Sequence, residues 1–343
     1  MKTREYQYDN LRFLLIALVV LGHLLEIAGG IPGRKILYDV IYSFHMPAFL
    51  FLSGMFARLD RGRFLFGLCL PYLALQVLYL SWARLLGEQQ TQLEFARPYW
   101  LLWYLFALMV YHVLLPIYDT PSRQGQVLLV AGSFALALLA GFDRTIGYPW
   151  SASRVLVFQP WFLMGFYFRR QPELLRRWQT ASPVRRRTVG AVVAALWLLL
   201  EWLLLRCRMP EKMLYGAQDY DSLNGSWPQR LLSCSCAAAA IFLLFVVAAD
   251  KLRRPIPLVT RLGQNTLSVY LLHGLFVLWL RHRRPEMLRG MPAVLLVWAA
   301  LLVLLGSPWV GKGVRFVCGG WYVQLRNSQI ARRAGEKLAS RGC

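Results

Sequence analysis

Within LRFLLIALVVLGHLLE, Leu11 to Glu26, three ionisable side chains stand in an otherwise apolar run: Arg12, His23 and Glu26. A histidine titrates near neutral pH and can take up or release a proton. A carboxylate three residues further on shares its helical face and can orient the ring. An arginine presents a planar fork of donors that suits phosphate. Arg12 and His23 lie 11 positions apart. Eleven steps of about 100° return a helix to within roughly 20° of the starting face, about 16 Å along its axis. The spacing thus predicts one stripe, with an anion binder at one end and a proton acceptor at the other. The competing reading is an arginine that snorkels to the headgroups and a histidine bonded to a neighbouring helix.

The elements that must carry this stripe are membrane helices. Hydrophobic residues make up 57% of the 343, and apolar runs near 20 residues recur along the chain. Such a run crosses a bilayer of about 30 Å as a helix, and a charged group inside it costs about 2.5–3.5 kcal/mol on insertion scales. The fold class expected is all-α and polytopic, with about ten spans in one bundle: 9–29, 38–57, 62–86, 99–118, 125–142, 152–169, 187–206, 229–250, 262–281 and 291–310. Residues 1–310 then form a single domain and 311–343 a basic tail. The first run reads as a retained signal anchor, since no small-residue cleavage site follows it.

The net charge of +22 excludes neither membrane nor nucleic acid by itself. The basic residues cluster in loops between apolar runs, which points to lipid headgroups and away from nucleic acid. With the N-terminus cytoplasmic, inside segments hold 24 Lys and Arg and outside segments with adjacent helix ends hold 14, in keeping with the positive-inside rule. Both termini are expected in the cytoplasm, with the protein multi-pass in the cell inner membrane. RHRRPEMLR, 281–289, is the exception, four arginines on the outer side. The six cysteines show no metal-ligand spacing, and no metal is expected.

Two further histidines reach the depth of His23. His45 lies in SFHMPAFLFLSG of the second span and His273 in LGQNTLSVYLLHG of the ninth. Counted from the outer ends at about 1.5 Å per residue, all three sit about 9–12 Å below the outer surface. His112, nearer the inner side, is read as structural, and His282, in a loop, as solvated.

An Arg, ten residues and a His inside YDNLRFLLIALVVLGH resemble the signature of integral-membrane acyltransferase family 3. Three more blocks resemble it in order and spacing: FHMPAFLFLSGMF (44–56), WLLWYLF (100–106) and LGQNTLSVYLLH (262–273). The second is most similar to the branch related to fucose 4-O-acetylases, and the whole resembles members without a fused esterase-like domain. The resemblance implies transfer of an acyl group, usually acetyl from acetyl-CoA, to a hydroxyl of a sugar or other cell-envelope acceptor, such as a lipid-linked sugar or secreted glycan.

Residue roles compatible with that activity can be assigned. Acyl transfer to an alcohol needs a base for the hydroxyl proton. His23 is the candidate base, with Glu26 as its orienter; alternatively His23 takes the acyl group itself. Arg12, Arg169 and Arg170 are expected to hold the CoA phosphates. His45, Ser53 and His273 are candidate donors to the developing oxyanion, against a reading in which they pack helices together. Ser53-Gly54 and Pro47 also fit a tight or bent helix. The outer loop 207–229 is a candidate acceptor contact, against an ordinary wet loop, and the aromatics Trp100, Trp103 and Tyr104 are read as an interfacial belt. A proton-coupled transporter or flippase of a lipid-linked sugar is the rival class, and a scaffold subunit of a polymer synthase a third.

Overall fold

The computed structural model describes residues 5–88, 94–207, 209–249, 251–322 and 324. Most of the expected basic tail, 325–343, lies outside the described residues, as do Lys2, Arg4 and Arg208. Among the described residues the chain is helical and carries no strand. The principal helices are α1 (Tyr6–Ile27), α2 (Arg34–Met55), α3 (Arg61–Leu86), α4 (Trp100–Val113), α5 (Arg123–Leu139), α6 (Ala152–Arg170), α7 (Pro172–Thr180), α8 (Pro183–Arg206), α9 (Trp227–Ala248), α10 (Pro257–Gly263), α11 (Thr266–Arg283), α12 (Met291–Leu305) and α13 (Pro308–Gly320).

Helices stand in all ten expected windows. Five of them, α1, α2, α3, α8 and α9, are long and apolar enough to cross a bilayer. Taking α12 and α13 as one span, despite a bend of 57° between them, adds a sixth. The remaining helices are shorter or more polar.

The bundle is organised around α1 and α2. In α2 the apolar window is 67% buried and in α8 only 11%, so α2 is central and α8 is peripheral, its leucines left facing outward. Leu11, Leu15, Ile16, Val20 and Leu24 of α1 are buried. A buried apolar stripe of this kind is what holds polar side chains on the same helix at fixed depth.

A close helix crossing joins α2 to α6. A Cβ built at Gly54 would run into the Phe162 carbonyl, and one at Gly165 into the Phe51 carbonyl. Backbone approaches this close need glycine, which accounts for Gly54 in the FLSG block. The LGQN block has a similar task. Gly263 lies against the Asp9 backbone. Asn265 Nδ2 donates to the Gly306 carbonyl at 3.0 Å, and Ser268 Oγ to the Leu305 carbonyl at 2.7 Å. Tyr270 Oη donates to the Leu101 carbonyl at 2.8 Å and Tyr79 Oη to the Leu271 carbonyl at 2.9 Å. Backbone groups near the start of α11 and the end of α12 are satisfied from side chains here, and α11 is locked in height and rotation.

Candidate active site

The locked helix α11 presents His273 to His23. The two rings stack with centroids 5.5 Å apart and planes inclined by 30°. Trp100 closes the other side of His23, edge-on at 4.8 Å. From α2, Tyr42 lies edge-on to His45 at 4.7 Å, and its Oη is 3.4 Å from His23 Nδ1. The three histidines expected at one depth are thus gathered into one cluster, with Tyr42 joining His45 to the other two.

Hydrogen bonds assign the ring nitrogens. His45 Nδ1 is 2.7 Å from the Ile41 carbonyl, and His273 Nδ1 is 2.9 Å from the carbonyls of Val269 and Tyr270. A carbonyl only accepts, so both Nδ1 atoms carry the proton and both Nε2 atoms are acceptors in the neutral ring. His273 Nε2 is buried and has no partner. The two rings were expected as donors to an oxyanion. In this tautomer they accept a proton, and only the charged imidazolium would donate from Nε2.

His23 Nδ1 lies 3.5 Å from Glu26 Oε2, at the outer limit of a hydrogen bond. The other carboxylate oxygen, Oε1, accepts from Arg281 Nη2 at 2.9 Å. Arg281 also rests over the Trp100 ring at 5.3 Å. The chain Arg281–Glu26–His23 therefore holds the carboxylate from outside and points its free oxygen at the imidazole. Arg281 was missed as a site residue. Its signal was present: it opens the one loop whose charge broke the positive-inside count. Two of that loop's four arginines meet carboxylates, Arg281 at Glu26 and Arg284 at Glu286 at 3.5 Å, and His282 Nε2 lies 3.2 Å from Glu88. His282 is exposed, as expected, but stands in the last turn of α11 and not in a loop.

Two spaces meet at His23. A wide cavity of about 1160 Å³ is lined by His23, Glu26, Tyr42, His45, Trp100 and Tyr215 among others. A neck of about 20 Å³ continues from His23 past Val19, Phe49 and Tyr104. Val19 is one turn nearer Arg12 than His23, so the neck lies on the Arg12 side of His23, although Arg12 does not line it. Leu214 and Tyr215 bring the outer loop into the wide cavity. Trp100 and Trp103, expected to allow an interfacial belt, wall it as well.

At the other end of α1, Arg12 rests over Phe56 at 4.6 Å and donates to Asp9 at 3.0 Å. Arg169 approaches the same Phe56 ring at 5.6 Å while it pairs with Glu5 at 2.5 Å. The structure brings these two guanidinium groups together. Arg170 is not with them: it folds over Phe166 at 3.5 Å, with Asp119 3.9 Å away. Ser53 is also outside the histidine cluster. Its Oγ donates to the Phe49 carbonyl at 2.9 Å and accepts from Tyr104 Oη at 2.6 Å, below the neck. Among the described residues no group of three or more His, Cys, Asp or Glu stands close enough to hold a metal ion.

A stacked histidine pair, a carboxylate aimed at one ring, a wide chamber on one side and paired arginines on the other suit group transfer between two separately delivered substrates. Comparison with known proteins agrees. Residues 5–312 match the family model described as an acyltransferase domain. Over 303 residues the chain is 26% identical to the nodulation protein NolL of Sinorhizobium fredii (strain NBRC 101917 / NGR234), covering 79% of this chain and 77% of that protein. No solved structure matches the chain. With nearly its whole length inside the family model, the chain belongs to integral-membrane acyltransferase family 3 and is a membrane acyltransferase.

Proposed function

We propose that this protein moves an acetyl group from cytoplasmic acetyl-CoA to a hydroxyl of a cell-envelope or secreted glycan. The observation that carries the reading is the position of His23, which lines both a chamber wide enough for a sugar and a smaller space on its Arg12 side. In this reading Arg12 and Arg169 hold the phosphates of CoA and the thioester arm reaches His23 through the neck. The glycan enters the chamber from the outer side, both termini are cytoplasmic, and the ten helices all span.

The chemistry follows from the tautomers. With Nδ1–H directed at Glu26, His23 Nε2 accepts the acceptor's hydroxyl proton as that oxygen attacks the thioester carbonyl. The carbon–sulfur bond then breaks, and the departing thiolate takes the proton from the imidazolium. Glu26 stabilises the transient positive charge, the role of a positioning carboxylate in a triad. His45, which lines the chamber, offers its Nε2 as a further acceptor, while His273 supports His23 from behind by stacking. The test is His23→Gln, which retains a hydrogen bond but cannot exchange a proton near neutral pH. Acetylation of envelope glycans, read by mass spectrometry, should fall by about 10²–10⁴-fold, while acetyl-CoA binding persists. Near-normal acetylation would leave His23 as helix packing only.

A further inference from the structure

The wide cavity holds charged groups that the transfer chemistry does not use. Arg154, in the first turn of α6, lies over the Trp103 ring at 5.3 Å and the Tyr148 ring at 5.6 Å. Its Nε donates to the Tyr215 carbonyl at 3.3 Å. The two terminal nitrogens have no hydrogen-bond or carboxylate partner among the described residues. Arg97, exposed at the rim, lies over the same Tyr148 ring at 5.5 Å and also lacks a carboxylate partner there. The cavity's carboxylates are mostly committed elsewhere: Glu26 to Arg281, and Glu88 to His282 and to Tyr99 Oη at 2.9 Å. Glu94 remains, exposed at the rim.

A guanidinium held by aromatic rings and anchored through Nε is fixed in orientation, with its two-pronged end available for planar anions. The position adds to this. A cation in the first turn of a helix opposes the helix dipole, whereas an anion bound there is favoured by both. Desolvating such a cation without a partner is unfavourable unless a ligand completes it.

We propose that the cavity is an acceptor site for an anionic saccharide, with Arg154 binding its carboxylate or phosphate and Arg97 adding to the field at the rim. Trp100 supplies apolar surface for the sugar ring, and His23, which lines the same cavity, meets the hydroxyl to be acylated. This rests on the chamber being the acceptor side of the acyltransferase, but binding can be measured with no acyl donor present.

The test uses the full chain in lipid nanodiscs, with binding read by thermal stabilisation at low salt. Methyl β-glucuronide and glucose 1-phosphate are the charged probes and methyl β-glucoside is the neutral one. The charged probes should bind at least about tenfold more tightly than the neutral one. Arg154→Gln should bring that ratio close to one, and Arg154→Lys should keep part of it because charge remains without the fork. Arg97→Gln, at the exposed rim, should lower the ratio a few-fold, and it provides a second reading should Arg154→Gln fold poorly. Tighter binding of the glucuronide assigns a carboxylate, and of the sugar phosphate a phosphate. Equal binding of charged and neutral probes, binding of none, or a preference that survives in Arg154→Gln overturns the proposal. His23→Gln should keep the full preference, so loss of transfer and loss of acceptor binding are distinguishable.

Discussion

Replacing Arg281 by Gln isolates the role of the outermost member of the Arg281–Glu26–His23 chain. The Arg281 Nη2 to Glu26 Oε1 contact of 2.9 Å is a charge-assisted hydrogen bond. Such bonds are worth about 1.5–3 kcal/mol when well shielded. Here the side chains keep 32% and 30% of their surface in solvent, so the lower end, about 1–1.5 kcal/mol, is appropriate. If the bond acts by aiming Oε2 at His23, its loss should lower the rate of acetyl transfer about 5–10-fold. Glu26→Gln should have a comparable or larger effect, because an amide positions the ring without stabilising its charge. The decisive assay is the double-mutant cycle on kcat of acyl transfer in membranes containing the native acceptor. Once Glu26 has become Gln, Arg281→Gln should cost little more, a coupling of about 1 kcal/mol. Additive losses from the two substitutions would refute the relay and leave Arg281 as a surface contact.

Three other outcomes follow from the geometry. Binding of acetyl-CoA should weaken as salt rises, and Arg12→Ala should raise the apparent KM for acetyl-CoA or abolish turnover, whereas Arg170→Ala, whose guanidinium lies over Phe166, should have a smaller effect. Gly165→Ala places a Cβ against the Phe51 carbonyl, and overpacking of this kind costs about 1–3 kcal/mol, to be seen as a lowered melting temperature in detergent. A reporter fused after residue 343 should be active only in the cytoplasm.

Much of the site was legible because helices convert spacing into geometry. The 11-residue interval between Arg12 and His23 and the counts from span ends to His23, His45 and His273 depend only on rise and twist, so the shared depth could be read without knowing which helices touch. What depends on neighbours was hidden. Arg281 reaches Glu26 across 255 positions, and only its violation of the charge rule drew attention to it. Arg169 and Arg170 are adjacent in sequence, yet a step of about 100° sends one to Phe56 and the other to Phe166. In the sequence Ser53 suits either an oxyanion donor or a packing role; the close approach of Gly54 to α6 and the tie of Ser53 to Tyr104 are packing features. Fold class was readable from apolar run length alone. The number of spans was less so, since several helices in the expected windows are too short or too polar to be recognised as spans by length and composition.

The size difference between the chamber and the neck also governs what the protein does as part of an insulating membrane. A space of about 1160 Å³ admits water freely, whereas one of about 20 Å³ has room for about a single molecule. If the two spaces lie in series between the faces of the membrane, as the proposed function requires, the narrow one around Val19, Phe49 and Tyr104 carries most of the resistance of that path. Moving one elementary charge through the membrane potential involves about 2.3 kcal/mol per 100 mV. In the proposed reading the catalyst is reached from two sides of a bilayer and must not become an ion leak, and a constriction walled by valine, phenylalanine and tyrosine would limit such a leak.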